Sequence, residues 1–345
     1  MKSNSLNRNI SIDLIKAVAI IFVLFIHSCT FSFPVSSKEW LISLFYRSIS
    51  GSAVPLFLMA SGAVLLNPQK ELSLKKLWLK NILRIVLAML FWGFIYKLWH
   101  LYDSSMLSFE NVILSLKELF FFNQEFHFYY MHIILIVYVF LPVTRIIICN
   151  SSKKQLEYLI AVWFVFAIVY PTVWRYYPFN LFGGMVAMYG INLTYASIGY
   201  GVLGYYLLKH PFPKWISSII FISGFFMTFG LTYFKSNECD VLYEHFLAGN
   251  GVPVCFMAIG LFSFVQGINI KKASLAKSIS YISKASFCVY LIHILVMYVL
   301  KKNYINTSLA PIFVSIPLYA FTIFSISVFI YFVLSKIPLV KKWLI

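Results

Sequence analysis

The chain has 345 residues, of which 61% are hydrophobic and only 11% charged, with a mean hydropathy of +0.84; a soluble domain of this size is about a quarter charged. That balance excludes a soluble enzyme, and the apolar runs are continuous rather than alternating, which excludes an outer-membrane barrel. The net charge of +17 does not make a nucleic-acid binder, because no room is left for a basic soluble module with base-contacting elements.

What remains is an all-α, polytopic membrane helix bundle. Crossing a ~30 Å hydrocarbon core takes about 20 apolar residues. Ten runs supply that length: 11–32, 45–66, 78–98, 128–148, 156–173, 189–208, 214–234, 250–268, 284–301 and 310–334. No small-residue cleavage site and soluble domain follow the first, so it reads as a retained helix rather than a signal peptide.

The first run, "IDLIKAVAIIFVLFIHSC" (12–29), carries Asp13, Lys16 and His27. Lys16 and His27 are 11 residues apart, which puts them on one helix face and about 16 Å apart along the axis. Asp13 lies three residues before Lys16 and can pair with it at the interface. A snorkelling Lys16 with Asp13 as its counter-ion is one account, and a His27 bonded to a neighbouring helix is another. Against both stands the general functional role of intramembrane ionisable groups and the fitness of imidazole for proton transfer.

In the second run, "SAVPLFLMASGAVLL" (52–66), Ser61 and Gly62 offer a hydroxyl and a close-approach glycine, or simply helix packing. The third opens with "KKLWLKNILRIVLAML" (75–90), where Lys80 and Arg84 lie one turn apart. Arg84 is deeper than membrane insertion requires and suits a phosphate or carboxylate; pairing with Asp13 or a lipid headgroup would also satisfy it. The segment 108–122 is too short and too charged to span and reads as an amphipathic surface helix. "NQEFHFYYMHIILIVYVFLPV" (123–143) begins with Glu125, His127, Tyr129, Tyr130 and His132. These are interfacial belt residues or a platform for a sugar. Finally, "SKASFCVYLIHILVMYVL" (283–300) sets His293 nine residues beyond Lys284, at a depth comparable to that of His27. Ser286, Tyr290 and His293 share its face.

The five cysteines, Cys29, Cys149, Cys239, Cys255 and Cys288, have no metal-ligand spacing and read as small hydrophobes; no metal site is expected. No internal repeat or inverted pair of broken helices is visible, which weakens a transporter of the inverted-repeat kind. With the N-terminus in the cytoplasm and the runs alternating, 20 of the 28 Lys and Arg but only 3 of the 11 Asp and Glu fall inside. Positive charge is retained in the cytoplasm, so an N-in, C-in topology is expected. That face attracts anionic lipid and anionic soluble ligands.

Taken in order, these stretches resemble the acyltransferase-3 family of integral-membrane O-acyltransferases. The carriers are Asp13, Lys16 and His27; "VPLFLMASGAVLL" (54–66); "KNILR" (80–84); "FYYMHIILIVYVFLP" (128–142); "LGYYL" (203–207); and "SFCVYLIH" (286–293). Two positions depart from the family pattern. Lys16 stands where Arg is usual, keeping the charge without the bidentate fork, and Asn81 replaces the first Arg of an Arg-x-x-Arg pair. The resemblance implies one membrane domain over 1–345 without an appended soluble domain, in the bacterial cytoplasmic (inner) membrane. It implies acetyl-CoA as acyl donor, with no permanently bound cofactor. The acceptor would be a hydroxyl of a lipid-linked or surface glycan of the O-antigen or lipopolysaccharide type. His27 would be the catalytic base, and Lys16, Arg84, Lys80 and Asp13 would bind the donor. His293, Tyr290, Ser286, Ser61, His127 and Tyr130 would orient the site or the acceptor. A transporter or flippase for a glycolipid is the alternative, followed by a non-catalytic partner in polysaccharide assembly.

Overall fold

The computed structural model describes residues 9–121, 123–182 and 193–345, except for the side chains of 193–196. Every regular element among them is helical. Among the described residues, nine helical stretches are long and apolar enough to cross a membrane, so the protein is a polytopic integral-membrane bundle. They are α1 (Ile10–Ser28), the α2–α3 pair (Lys38–Leu65), α4 (Leu74–Asp103), α6 with its leading 3-10 turn (Phe126–Asn150), α7 (Lys153–Val173), α9 (Lys214–Cys239), α10 with its leading 3-10 turn (Glu244–Gln266), α11 (Ala273–Lys302) and α12 (Ile312–Leu334). The run expected at 189–208 begins outside the described residues; its described part is helix α8, Leu193–Lys209. The short α5 (Phe109–Phe120) and α13 (Pro338–Trp343) complete the set.

Local chemistry sets several boundaries. The Asn9 side chain caps α1 by accepting the amides of Ser11 and Ile12 at 3.0 and 3.3 Å. Ser152 and Gln155 form a reciprocal capping box at the start of α7. The run expected as a single helix over 45–66 is instead two helices, α2 (Lys38–Ile49) and α3 (Ala53–Leu65). The break at Ser50–Gly51–Ser52 has a direct cause: Pro55 cannot donate to the Gly51 carbonyl, and its ring would collide with it. The amphipathic helix does form, as α5. It is tied to α4 by Lys97–Glu118 at 2.5 Å and turns Phe109 outward, 82% exposed.

α1 lies at the centre, packed on α3, α11 and α12, and α11 carries an almost continuous buried face from Ala285 to Met297. α3 crosses α8 backbone to backbone: a Cβ on Gly62 would lie 2.1 Å from the Gly201 carbonyl oxygen. The close approach expected of Gly62 is therefore real.

Charged groups gather in two chemically distinct regions, at opposite ends of α4 and α11. At one, Lys16, Lys80, Arg84, Lys284 and Lys342 line a common cavity, and Arg145 donates to the carbonyls of Pro68 and Lys70. At the other, Lys302 pairs with Asp103 at 2.8 Å, His100 with Glu125 at 2.6 Å, and Ser36 donates to Asn237 at 2.5 Å. The residues assigned inside and outside from charge alone thus sort to opposite ends.

Candidate active site

The basic end opens into a cavity of about 400 Å³. Its charged lining is Lys16 from α1, Lys80 and Arg84 from α4, Lys284 from α11 and Lys342 from α13. No carboxylate is among the lining residues. α4 is wound as a π-helix over Leu77–Ile82, a local widening common at functional sites; it carries Lys80 and Asn81, both in the cavity wall. The Arg84 guanidinium lies over the Phe287 ring, 5.3 Å from its centroid, and donates through Nη2 to the Ile345 carbonyl. Deeper in, the wall becomes Ser61, Tyr130, Ser286 and Tyr290.

Asp13 differs from expectation. It is 5% exposed and is not among the lining residues. Its two carboxylate oxygens accept from Ser280 at 2.6 Å and Ser283 at 2.7 Å. Two charge–hydroxyl hydrogen bonds inside the bundle pin α1 to α11, so Asp13 positions the helix that presents Lys16 rather than facing a ligand. Ser61, Tyr130 and Ser286, expected to orient the site or the acceptor, line the basic-end cavity.

Three histidines converge beyond the floor of that cavity. The rings of His27 and His293 have centroids 5.1 Å apart, and those of His127 and His293 are likewise 5.1 Å apart. Tyr290 packs 5.8 Å from both His127 and His293, and its hydroxyl donates to the His127 carbonyl. His293 is fully buried, and its Nδ1 lies 2.7 Å from the Tyr290 carbonyl oxygen. A carbonyl can only accept, so Nδ1 carries the proton and Nε2 is left with its lone pair. Among the described residues, His293 Nε2 has no hydrogen-bond partner, and the His127 ring, which makes only a loose contact with the Leu291 main chain, leaves at least one nitrogen without one. Uncompensated buried imidazole nitrogens are costly, so packing alone does not account for this cluster.

From the other end, two cavities reach the same histidines. One, of about 330 Å³, is lined by His27, His127, Arg47, Tyr129, Asn250 and Tyr290 among others. The second, of about 460 Å³, brings Thr30, Ser32, Asn306, Thr307 and Ser308 to His27. Tyr290 lines both the basic-end cavity and the Arg47 cavity. It is the one residue common to the two linings and so lies between the two cavities. His27 borders both far-end cavities, whereas His293 borders none of the three. His132 also stays outside them.

Sequence reasoning missed Lys342 and Trp343 in the basic cavity wall and Arg47 in the other. The first two belong to α13, which folds back so that Trp92 Nε1 donates to the Leu344 carbonyl at 2.9 Å. The doublet Lys341–Lys342 was visible only as topogenic charge. Arg47 falls near the start of the run 45–66, where the sequence alone gives no reason to single it out.

The whole arrangement can be compared with known proteins. No curated protein and no solved structure matches the chain. The sequence model described as an acyltransferase domain, Acyl_transf_3, matches residues 9–336, a stretch running from the cap of α1 to beyond the end of α12 and holding the histidines and nearly all of the cationic lining. With that match over nearly its whole length, the chain belongs to the acyltransferase-3 family and is a membrane acyltransferase.

Proposed function

We propose that the enzyme moves an acetyl group from acetyl-CoA, bound at the basic end, to a hydroxyl of a lipid-linked or surface glycan entering from the opposite end. The observation carrying this reading is the pair of cavities that meet at Tyr290 and the histidine cluster. Five lysines and arginines without a lining carboxylate suit the pyrophosphate and 3′-phosphate of coenzyme A. The hydroxyl-rich and aromatic walls of the far-end cavities suit a sugar.

His27 is the residue placed to act as base, since it alone of the three histidines borders both far-end cavities. In the reaction the acceptor hydroxyl oxygen attacks the thioester carbonyl carbon while His27 takes the hydroxyl proton. The C–S bond then breaks, and the proton leaves His27 with the departing thiolate to give free coenzyme A. His293, its Nδ1 anchored to the Tyr290 carbonyl, offers Nε2 as an acceptor that orients the neighbouring imidazole. Charge segregation supports the cytoplasmic face for the donor cavity, as a bacterial inner membrane would require.

Mass analysis of the cell-surface glycan from cells with and without the gene tests this directly. Loss of one acetyl increment per modified sugar upon deletion, restored by the wild-type chain but not by His27→Ala, is the expected outcome. An unacetylated glycan in both strains, with glycolipid accumulating on one leaflet of the deletion strain, would establish the flippase instead.

A further inference from the structure

A second cation lies deep in the bundle, away from the donor cavity. Arg47 is in the last turn of α2, beside the break at Ser50–Ser52, and lines the cavity that holds His27 and His127. Four arginines fall among the described residues. Arg84 donates to a main-chain carbonyl and stacks on Phe287, Arg145 donates to two carbonyls, and Arg175 lies 5.3 Å over Trp174. Among the described residues, Arg47 has no hydrogen bond, ion pair or ring partner of this kind. No aspartate or glutamate lines its cavity. Glu244, on the turn before α10, is exposed and forms no ion pair with it.

An unpaired guanidinium at membrane depth is expensive and marks a functional site by default. Two independent features point the same way. Non-helical backbone at such depth persists where it borders a cavity: Gly51 lines this one, as do Val54 and Pro55 from the first turn of α3. Ala53 N–H donates to the Ser50 carbonyl at 3.1 Å and Pro55 has no N–H, so the Val54 amide, which Ser52 does not cap, is the one group of that turn that adds partial positive charge. His127, 1% exposed, lies against the Leu291 main chain and brings at least one unpartnered ring nitrogen to the same cavity. The site therefore offers positive potential and hydrogen-bonding groups, with no carboxylate in its wall; the exposed Glu244 acts on Arg47 only through space.

We propose that Arg47 binds an anionic group, a carboxylate or phosphate, carried by the acceptor, so that the enzyme selects acidic or phosphorylated glycans over neutral ones. The inference rests on the reading that the far-end cavities receive the acceptor. Placement favours a role in binding over one in the transition state, because Arg47 is absent from the cavity assigned to the donor thioester. A planar fork suits either oxyanion bidentately.

The test is equilibrium binding to the full chain in nanodiscs of zwitterionic lipid. The probes are methyl glucuronide, glucose 1-phosphate and methyl glucoside. The wild type is expected to bind one or both anionic probes about tenfold or more tightly than the glucoside; which of them binds tells carboxylate from phosphate. Arg47→Gln should bind all probes alike, and Arg47→Lys should fall between. Coenzyme A binding, measured on each variant, certifies the fold, because Arg47 is remote from that cavity. Arg84→Gln should lose coenzyme A and keep the anionic preference. Equal binding of all probes by the wild type, or an undiminished preference in Arg47→Gln, overturns the proposal. So does a preference abolished by Arg84→Gln alone, which would place the probes in the donor cavity. Failure of the wild type to bind coenzyme A would instead sink the donor reading, while an Arg47-dependent preference for anions would still stand.

Discussion

His27 has two physically distinct ways to be stable inside a membrane, and they predict different responses to glutamine. If imidazole serves only as a hydrogen-bonding link between helices, an amide of similar reach replaces it. If it accepts a proton from the attacking hydroxyl, an amide cannot. Removing a general base commonly costs ~10²–10⁴ in rate. His27→Gln and His27→Ala are therefore both expected to insert normally, bind coenzyme A and lose acetyl transfer by that factor; near-normal glycan acetylation in the glutamine variant would reject the catalytic role. His293→Ala should cost less, because His293 reaches substrate only through its neighbour. At the donor end, Lys16→Ala and Arg84→Ala should each weaken acetyl-CoA binding at unchanged expression, and Lys16→Arg should be tolerated. Unchanged donor affinity in both alanine variants would return these residues to the lipid-anchor reading. Lys16, His27 and His293 were legible in the sequence because helix geometry fixes the spacing of residues along one rod. Asp13 was half legible: its depth followed from position, but its partners Ser280 and Ser283 come from a helix more than 260 residues away in sequence.

At the level of elements, the sequence read best where one segment determines its own state. The apolar runs, the amphipathic segment that became α5 and the close approach at Gly62 all follow from local patterns. The break between α2 and α3 was also written locally, in Ser50–Gly51–Ser52 and Pro55, but the hydropathy of the flanking run concealed it. The docking of α13 on α4 was not legible, because six residues after the last span carry no signal for where they land. The α3–α8 crossing yields a sharp test. A Cβ at Gly62 would sit 2.1 Å from the Gly201 oxygen and 2.3 Å from its Cα, both backbone atoms, so no rotamer can relieve the clash and the two helices must separate. Overpacking of this kind typically costs 1–3 kcal/mol, so Gly62→Ala should be destabilised by about that much. A lowered unfolding temperature in detergent is expected, against an unshifted one for Gly230→Ala, where a Cβ meets nothing within 4 Å.

For the whole molecule, the proposed function depends on orientation, because the cavities proposed for donor and acceptor become separate compartments only if the bundle sits one way in the membrane. The argument for that way combines two observations of different kinds. Basic residues are retained in the cytoplasm during insertion, and the cations of α1, α4, α11 and α13 assemble one cavity, which is the one suited to a cytoplasmic thioester. A single error in the span count would invert every helix after it and scatter those cations to both ends, yet the folded chain keeps them together. Cysteines placed singly at Lys75, Lys154, Lys272 and Lys341 should therefore be modified only from the cytoplasm, and those at Ser36, Asp240 and Asn306 only from outside. The background must first lose the native cysteines, of which Cys149 and Cys239 are exposed and Cys29 lines a far-end cavity. Acetyl transfer retained in that cysteine-free chain shows that the labelled protein is the active one. Modification of position 240 from the cytoplasm alone would turn the bundle over. It would place the five-cation cavity outside, where no acetyl-CoA reaches it, and the donor reading would fall with the topology.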